Sequence, residues 1–270
     1  MTGSEPKRVA FVTGAARGIG AATVRALCNR GYHVVAVDSC ASDGPDRPDG
    51  VGYPLANRHD LEALEIEYPN QVLTRIVDVR DAEAVSSATS FTVARLGRLD
   101  AAVAAAGVII GGKPLWETPA SHVKSLWDVD VMGVWNTAAS SIPHMLRGPD
   151  PSGCRFVAVA SVAAHRGLFH LAGYLAAKHA VVGIVRGLAA DLIGTGVTAA
   201  AVSPGSTRTP MLQATAAAYG VGGVEDFADR QLVRRLIDPA EIAEAIAFCC
   251  SLEGVVVNGS VLHADGGLPS

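Results

Sequence analysis

Short, continuously apolar runs alternate along this chain with longer segments in which apolar positions recur every three or four residues. That alternation predicts strands separated by helices. Val9 to Thr13 predicts a buried strand, and a helix follows from about Ile19 to Arg30, ended by Gly31. His33 to Val37 predicts the second strand, with others at Val72 to Val77, Ala101 to Ala105, Arg155 to Ala160, Val197 to Val202 and Ser260 to His263. Helices are expected between them, and the Ala/Val-rich stretches at Val185 to Leu192 and Ile242 to Cys249 predict helices packed on a sheet. The pattern is that of an α/β protein whose parallel sheet is covered on both faces, and seven strands is the simplest count.

Composition narrows the classes. The 270 residues are 49% hydrophobic and 18% charged, with mean hydropathy +0.29, enough apolar material for a substantial core. Nothing in the composition divides the chain, so a single domain over 1–270 is expected. The net charge of -4 comes without a basic cluster, which disfavours nucleic acid. The polar start, Met1 to Arg8, leads straight into Val9 with no signal pattern, and no apolar run reaches the roughly 18 residues of a spanning helix. A cytoplasmic protein is expected. Five cysteines, Cys28, Cys40, Cys154, Cys249 and Cys250, show no paired metal-ligand spacing and read as buried thiols; no metal is expected.

Two sets of residues carry candidate chemistry. The run Thr13-Gly14-Ala15-Ala16-Arg17-Gly18-Ile19-Gly20 follows a predicted strand and opens a predicted helix. Gly14 permits the tight turn, Gly18 and Gly20 allow close backbone approach to a pyrophosphate, and the helix N-terminus offers N–H groups to the anion. Asp38, 18 residues after Gly20, could accept from ribose hydroxyls and repel a 2'-phosphate, favouring NAD over NADP, although Arg17 could meet a phosphate. Asp78 reads either as an adenine contact, with Val79 beside it, or as an N-cap for the segment starting at Arg80. The second set is Ser161, Tyr174 and Lys178. The spacing of four puts Tyr174 and Lys178 on one helix face, so the ammonium can lower the phenol's pKa and make it a usable acid or base. Ser161 and Tyr174 together could stabilise and protonate a developing alkoxide. The order of the two sets points to a nicotinamide-dependent alcohol or carbonyl oxidoreductase.

At these residues the chain resembles the classical short-chain dehydrogenase/reductases over almost its whole length. The resemblance rests on Thr13 to Gly20, Asp78-Val79, Ala106-Gly107, Ser161, Tyr174-Leu175-Ala176-Ala177-Lys178, Pro204-Gly205 and Asp265-Gly266-Gly267. It implies a single doubly wound Rossmann domain, often a homotetramer, to which the apolar end from Val255 to Leu268 could contribute. Ser161 would bind the substrate oxygen, Tyr174 transfer the proton, and Lys178 bind the nicotinamide ribose. Pro204, Gly205 and the Thr207 to Thr209 region would flank the nicotinamide. Two positions depart from the family pattern. Asp130 stands where an asparagine helps position a water-linked proton relay, and an ionised aspartate cannot donate. Ala105 replaces the asparagine of the strand-end motif.

The segment at about 39–71, with Gly44 to Gly52, Tyr53-Pro54-Leu55-Ala56-Asn57 and the acidic helical stretch Leu61 to Glu67, is longer than ordinary members need. With Gly133 to Thr137 and Ile142 to Met145 it is similar to the mycofactocin-associated, carveol-dehydrogenase-like branch. There the insertion is thought to cover NAD, with the peptide-derived cofactor mycofactocin as electron acceptor. Substrate-lining segments are expected at Val108 to Trp116, Ala163 to Ala172 and Met211 to Val224, within a substrate loop at about 206–230. Leu168, Phe169, Leu171, Met211, Leu212 and Tyr219 would suit a hydrophobic secondary alcohol or ketone; His165, Arg166 and His170 read as solvated. Thr215 to Phe227 reads as a mobile lid or as a helix with a loop. An exchangeable-cofactor ketone or 3-oxoacyl reductase and a non-catalytic dinucleotide-binding subunit are the alternatives.

Overall fold

The computed structural model describes residues 7–42, 44, 46–220 and 222–268. Seven strands form one parallel sheet: β1 (Val9–Thr13), β2 (His33–Asp38), β3 (Val72–Ile76), β4 (Ala101–Ala104), β5 (Arg155–Val159), β6 (Thr198–Pro204) and β7 (Val261–Ala264). Their order is β3-β2-β1-β4-β5-β6-β7, the doubly wound arrangement. Every predicted strand forms, each end within two residues of its expected place. The helices are α1 (Gly18–Asn29), α2 (Arg58–Glu67), α3 (Ala82–Leu96), α4 (Ala120–Leu126), α5 (Met132–Leu146), α6 (Ala172–Asp191), α7 (Pro210–Tyr219) and α8 (Pro239–Cys250).

Alternation along each strand divides the apolar residues between two cores. Ala10 and Val12 of β1 pack with Val24 and Leu27 of α1, Leu61 and Leu64 of α2, and Ile242 and Ile246 of α8. Phe11 points to the other face, among Val85 of α3, Val134 of α5, and Val181 and Val185 of α6. Both faces are covered, so the strands need no polar side, which is why they read as continuous apolar runs. A third cluster, including Val51, Tyr53, Leu126, Val129, Leu171 and Tyr174, lies over the strands' C-terminal ends. The strand order reverses between β1 and β4, leaving there the crevice in which such sheets bind ligands.

Two expectations change. Asp78 does not cap the helix that follows: Asp81 does, accepting from Glu83 N and Ala84 N. The segment expected as a substrate loop contains α7, started by the Thr209 side chain with Pro210 in its first turn and stopped by left-handed Gly220. A 3-10 turn, Val224–Arg230, follows.

Close approach fixes the first turn. A Cβ on Gly14, whose φ is +63°, would lie 2.6 Å from the Ala106 backbone, and one on Gly20 would lie 2.0 Å from Gly14 O. Left-handed backbone alone costs a non-glycine residue about 1–2 kcal/mol, before the overlap with β4's end. Gly14→Ala is therefore expected to lower Tm by at least about 2–4 °C, the shift that 1 kcal/mol gives a chain of this size. A thermal melt checks this, and an unchanged Tm would mean that the turn has room to move.

Candidate active site

One cleft runs across the C-terminal ends of the strands. Gly14, Arg17, Gly18, Ile19, Gly20, Asp38, Asp78, Val79, Ala106, Gly107, Ser161, Tyr174, Lys178, Pro204, Gly205, Thr207 and Thr209 all line it. Asp130 is the one candidate that lies behind its wall, fully buried. At the nucleotide end, α1 starts with no side-chain cap and no acid in its first turn, so its first N–H groups are left for another acceptor. Asp38 is held by two backbone donors, Ala16 N at 3.1 Å and Cys40 N at 3.0 Å. Burial raises its pKa and these donors oppose the rise. Arg17 is already engaged: it donates to Pro54 O at 2.6 Å and lies over the Tyr53 ring.

Tyr174 and Lys178 share one face of α6 and are both buried. Lys178 Nζ donates to Val159 O at 3.2 Å and stands 3.6 Å from Asp130 Oδ1, while lying 5.7 Å from the Tyr174 ring centroid. The ammonium was expected to lower the phenol's pKa. Instead burial and then the Asp130 carboxylate push the phenol up, and a hydrogen bond with Ser161 alone opposes them. Burial of the ring is the larger cause, and Asp130, seated against the ammonium, adds to it. Ser161 also accepts from Ala163 N at 3.2 Å, which fixes the turn after β5.

Asp130 lies on a π-helical turn, Trp127–Val131, between α4 and α5. Such turns re-aim one side chain out of a regular helix. Its Oδ1 accepts from Val108 N at 3.0 Å, and its Oδ2 has no hydrogen-bond partner among the described residues. A Cβ on Gly107 would stand 2.6 Å from Oδ1, so glycine there makes the carboxylate's room. Burial raises this carboxyl to about 6, against the pull of Lys178 and of the Val108 N–H.

Several residues at the site were not legible in the chain. Tyr53 Oη accepts from Ile109 N at 3.1 Å inside the third apolar cluster, and Arg80 donates to Asp46 O at 2.6 Å while pairing with Asp78 at 2.5 Å. With Arg17 on Pro54, these contacts fasten the segment around residues 46–56 over the cleft, where Asp46, Pro48, Leu55 and Ala56 form part of the wall. No periodic signal marks such contacts. Leu168, Leu171, Met211, Leu212 and Tyr219 line the other end, joined by Phe227, Arg230 and Leu268. Phe169 does not; it is 73% exposed and stacks on His170. His165 is not simply solvated either, since its Nε2 lies 3.0 Å from the buried Ser203 Oγ.

The family profile described as enoyl-(acyl carrier protein) reductase matches residues 14–269. A (-)-trans-carveol dehydrogenase of Rhodococcus erythropolis is 30% identical, covering 96% of each chain. A cis-4-hydroxycyclohexanecarboxylate dehydrogenase of Sinomonas cyclohexanicum is 33% identical, covering 97% of this chain and 96% of its own. The crystal structure of a carveol dehydrogenase from Mycobacterium avium in complex with NAD superposes with a TM-score of 0.88 at 32% identity, over 98% of this chain and 99% of that one. This chain belongs to the short-chain dehydrogenase/reductase family and is an oxidoreductase of that class. No helix among the described residues is long and apolar enough to cross a membrane.

Removing the Tyr53 hydroxyl would leave the buried Ile109 N–H without its acceptor. A donor stranded in this way costs about 1–3 kcal/mol. Tyr53→Phe is expected to lose that much stability in urea unfolding and to speed amide exchange at Ile109. Exchange at Ile109 as slow as in the parent protein would show that the bond holds nothing in place.

Proposed function

We propose that the protein interconverts a hydrophobic secondary alcohol and its ketone with NAD, using Tyr174 as the proton-transfer residue. One observation carries the reading: Ser161, Tyr174 and Lys178 converge with the uncapped glycine turn in a single cleft whose remaining walls are mostly apolar. The groove fits a dinucleotide, because α1 opens on it with no side-chain cap and no acid in its first turn, leaving its N–H groups for a pyrophosphate. Gly18, Ile19 and Gly20 would hold the phosphates, Asp38 the adenosine ribose, Asp78 and Val79 the adenine, and Ala106, Gly107, Pro204, Gly205, Thr207 and Thr209 the nicotinamide half, with Lys178 on its ribose. Bound there, NAD supplies the hydride acceptor or donor. Asp38 disfavours a 2'-phosphate, and Arg17 is spent on Pro54 O, so NADP is the poorer fit.

In oxidation the Tyr174 phenolate takes the hydroxyl proton while Ser161 donates to the substrate oxygen; in reduction the phenol returns it. Asp130 is a positioning residue. It fixes the Lys178 ammonium and the Val108 backbone, and its charge keeps the phenol protonated. The fastened segment over the cleft supports NAD that is tightly held and recycled in place by a separate acceptor, for which mycofactocin is the candidate. Exposed Trp127 on the π turn and Met132 and Trp135 on α5 suit self-association into a homotetramer, in the cytoplasm. The profile's reductase description favours a second reading, an ordinary ketone or 3-oxoacyl reductase with exchangeable cofactor.

The two readings separate on exhaustive dialysis followed by denaturation and mass spectrometry of the released nucleotide. Near-stoichiometric NAD(H) is expected; an empty protein favours the exchangeable reading. Hydride transfer in a single turnover should then fall by about 10²–10⁴ in Tyr174→Phe, the usual worth of a positioned acid or base. An undiminished rate removes Tyr174 from the chemistry.

Asp130 generates a pH prediction. The carboxyl is neutral below about 6 and ionised above it, and when ionised it raises the phenol. Removing the charge must therefore lower the pH at which Tyr174 becomes a base. Asp130→Asn should keep the Val108 contact, shift the rising limb of the oxidation profile toward acid by about one unit, and erase any inflection near 6. Superimposable profiles would mean that Asp130 serves the fold alone.

A further inference from the structure

Four cations line the cleft: Arg17, Arg80, Lys178 and Arg230. Three are committed, Arg17 to Pro54 O, Arg80 to Asp78, and Lys178 to Val159 O and Asp130. Arg230 has no carboxylate within ion-pair distance and no side-chain hydrogen bond among the described residues; the nearby Glu225 is paired with Arg208 at 2.8 Å. Its guanidinium lies 5.7 Å from the Phe227 ring centroid, and the Phe227 and Tyr219 rings stand 6.2 Å apart. Tyr219 is close enough for the arginine's charge to draw its phenol down against burial.

Charge along the cleft is unevenly distributed. Its described acids, Asp38, Asp46 and Asp78, end β2 or follow β2 or β3, at the nucleotide end. Around Ser161 and Tyr174 the walls are Leu168, Leu171, Met211 and Leu212, and no described acid faces that half. An apolar chamber with a proton donor in one wall and one unmatched cation on an aromatic rim has an electrostatic complement. That complement is an apolar body with an oxygen function at one end and a single negative charge at the other.

We propose that Arg230 determines specificity by receiving a carboxylate that the substrate carries remote from its reacting carbinol carbon. The inference rests on the secondary-alcohol reading above and adds the charge of the substrate to it. A guanidinium presents paired donors that match a carboxylate's two oxygens. A phosphate's second charge would find no partner in this half of the cleft. The relative named for cis-4-hydroxycyclohexanecarboxylate handles a compound with this layout of groups, whereas the carveol relatives are named for a neutral alcohol.

The test uses the NAD-loaded protein and two ketones of one ring size, 4-oxocyclohexanecarboxylate and 4-methylcyclohexanone, titrated by calorimetry. A charge-assisted pair at the rim is expected to make the carboxylate bind about 10- to 100-fold tighter. Arg230→Gln should erase that preference, Arg230→Lys should restore part of it, and affinity for the neutral ketone and NAD content should stay unchanged. Equal affinities, no binding of the carboxylate, or equal loss of both ketones or of NAD in Arg230→Gln would overturn the proposal. Hydride transfer from the two corresponding alcohols separates this from the parent reading. Oxidation of both without preference sinks the role of Arg230 and leaves the dehydrogenase standing. Arginine-dependent binding without any hydride transfer does the reverse.

Discussion

The site depends on a strip of backbone, residues 105–109, that leaves β4 at the point where the strand order reverses across the sheet. Its N–H groups are caught from three directions. Thr13 Oγ1 accepts from Ala105 and Ala106 at 3.2 and 3.3 Å, Asp130 Oδ1 from Val108, and Tyr53 Oη from Ile109. Thr13 ends β1, Asp130 lies on the π turn between α4 and α5, and Tyr53 belongs to the segment after β2. One strip thereby registers the glycine turn, the Lys178 neighbourhood and the covering segment against each other. The Val108 and Ile109 N–H groups are buried, those of Ala105 and Ala106 partly so, and each would be costly to leave unmade, so moving the three elements apart means breaking this strip.

The same strip explains why either an aspartate or an asparagine would serve at position 130. Either side chain can accept from Val108 N, so the structural duty survives the exchange. The aspartate adds a negative charge 3.6 Å from Lys178, in a place with no exposure. An isolated buried charge is expensive, but a carboxylate and an ammonium taken out of water together partly offset each other. The consequence falls on Tyr174, which sees a nearly neutral pair rather than a bare cation. An orphaned Oδ2 shows that the pairing is incomplete, which agrees with a carboxyl that burial has raised to about 6.

The sheet was legible because both of its faces are covered. Strands such as Ala101–Ala104 and Arg155–Val159 carry few polar residues, and helices with a single apolar stripe separate them. The glycine turn and the Tyr174–Lys178 spacing were legible because local geometry dictates both. What stayed hidden was long-range polar pairing. Tyr53 reaches Ile109 across 56 positions of sequence and Arg17 reaches Pro54 across 37, and no periodicity encodes either contact. The expectation that Lys178 would lower the Tyr174 phenol failed for the same reason. It considered one neighbour at i+4, while the burial of the ring and the Asp130 charge both come from other elements.

Arg17 and Arg230 illustrate how position in a charge network decides what a cation can do. Both are arginines on the wall of the same cleft, and both lie over an aromatic ring. Arg17 has an acceptor in Pro54 O, so its charge is spent on holding the covering segment and is a poor recruit for an anion. Arg230 has none among the described residues, and no described acid lines its half of the cleft to draw it in. An anion arriving there would displace only water from the guanidinium, whereas at Arg17 it would first have to break a hydrogen bond. Residue type alone would rank the two equally; the partners they already hold put the vacant donor at the substrate end.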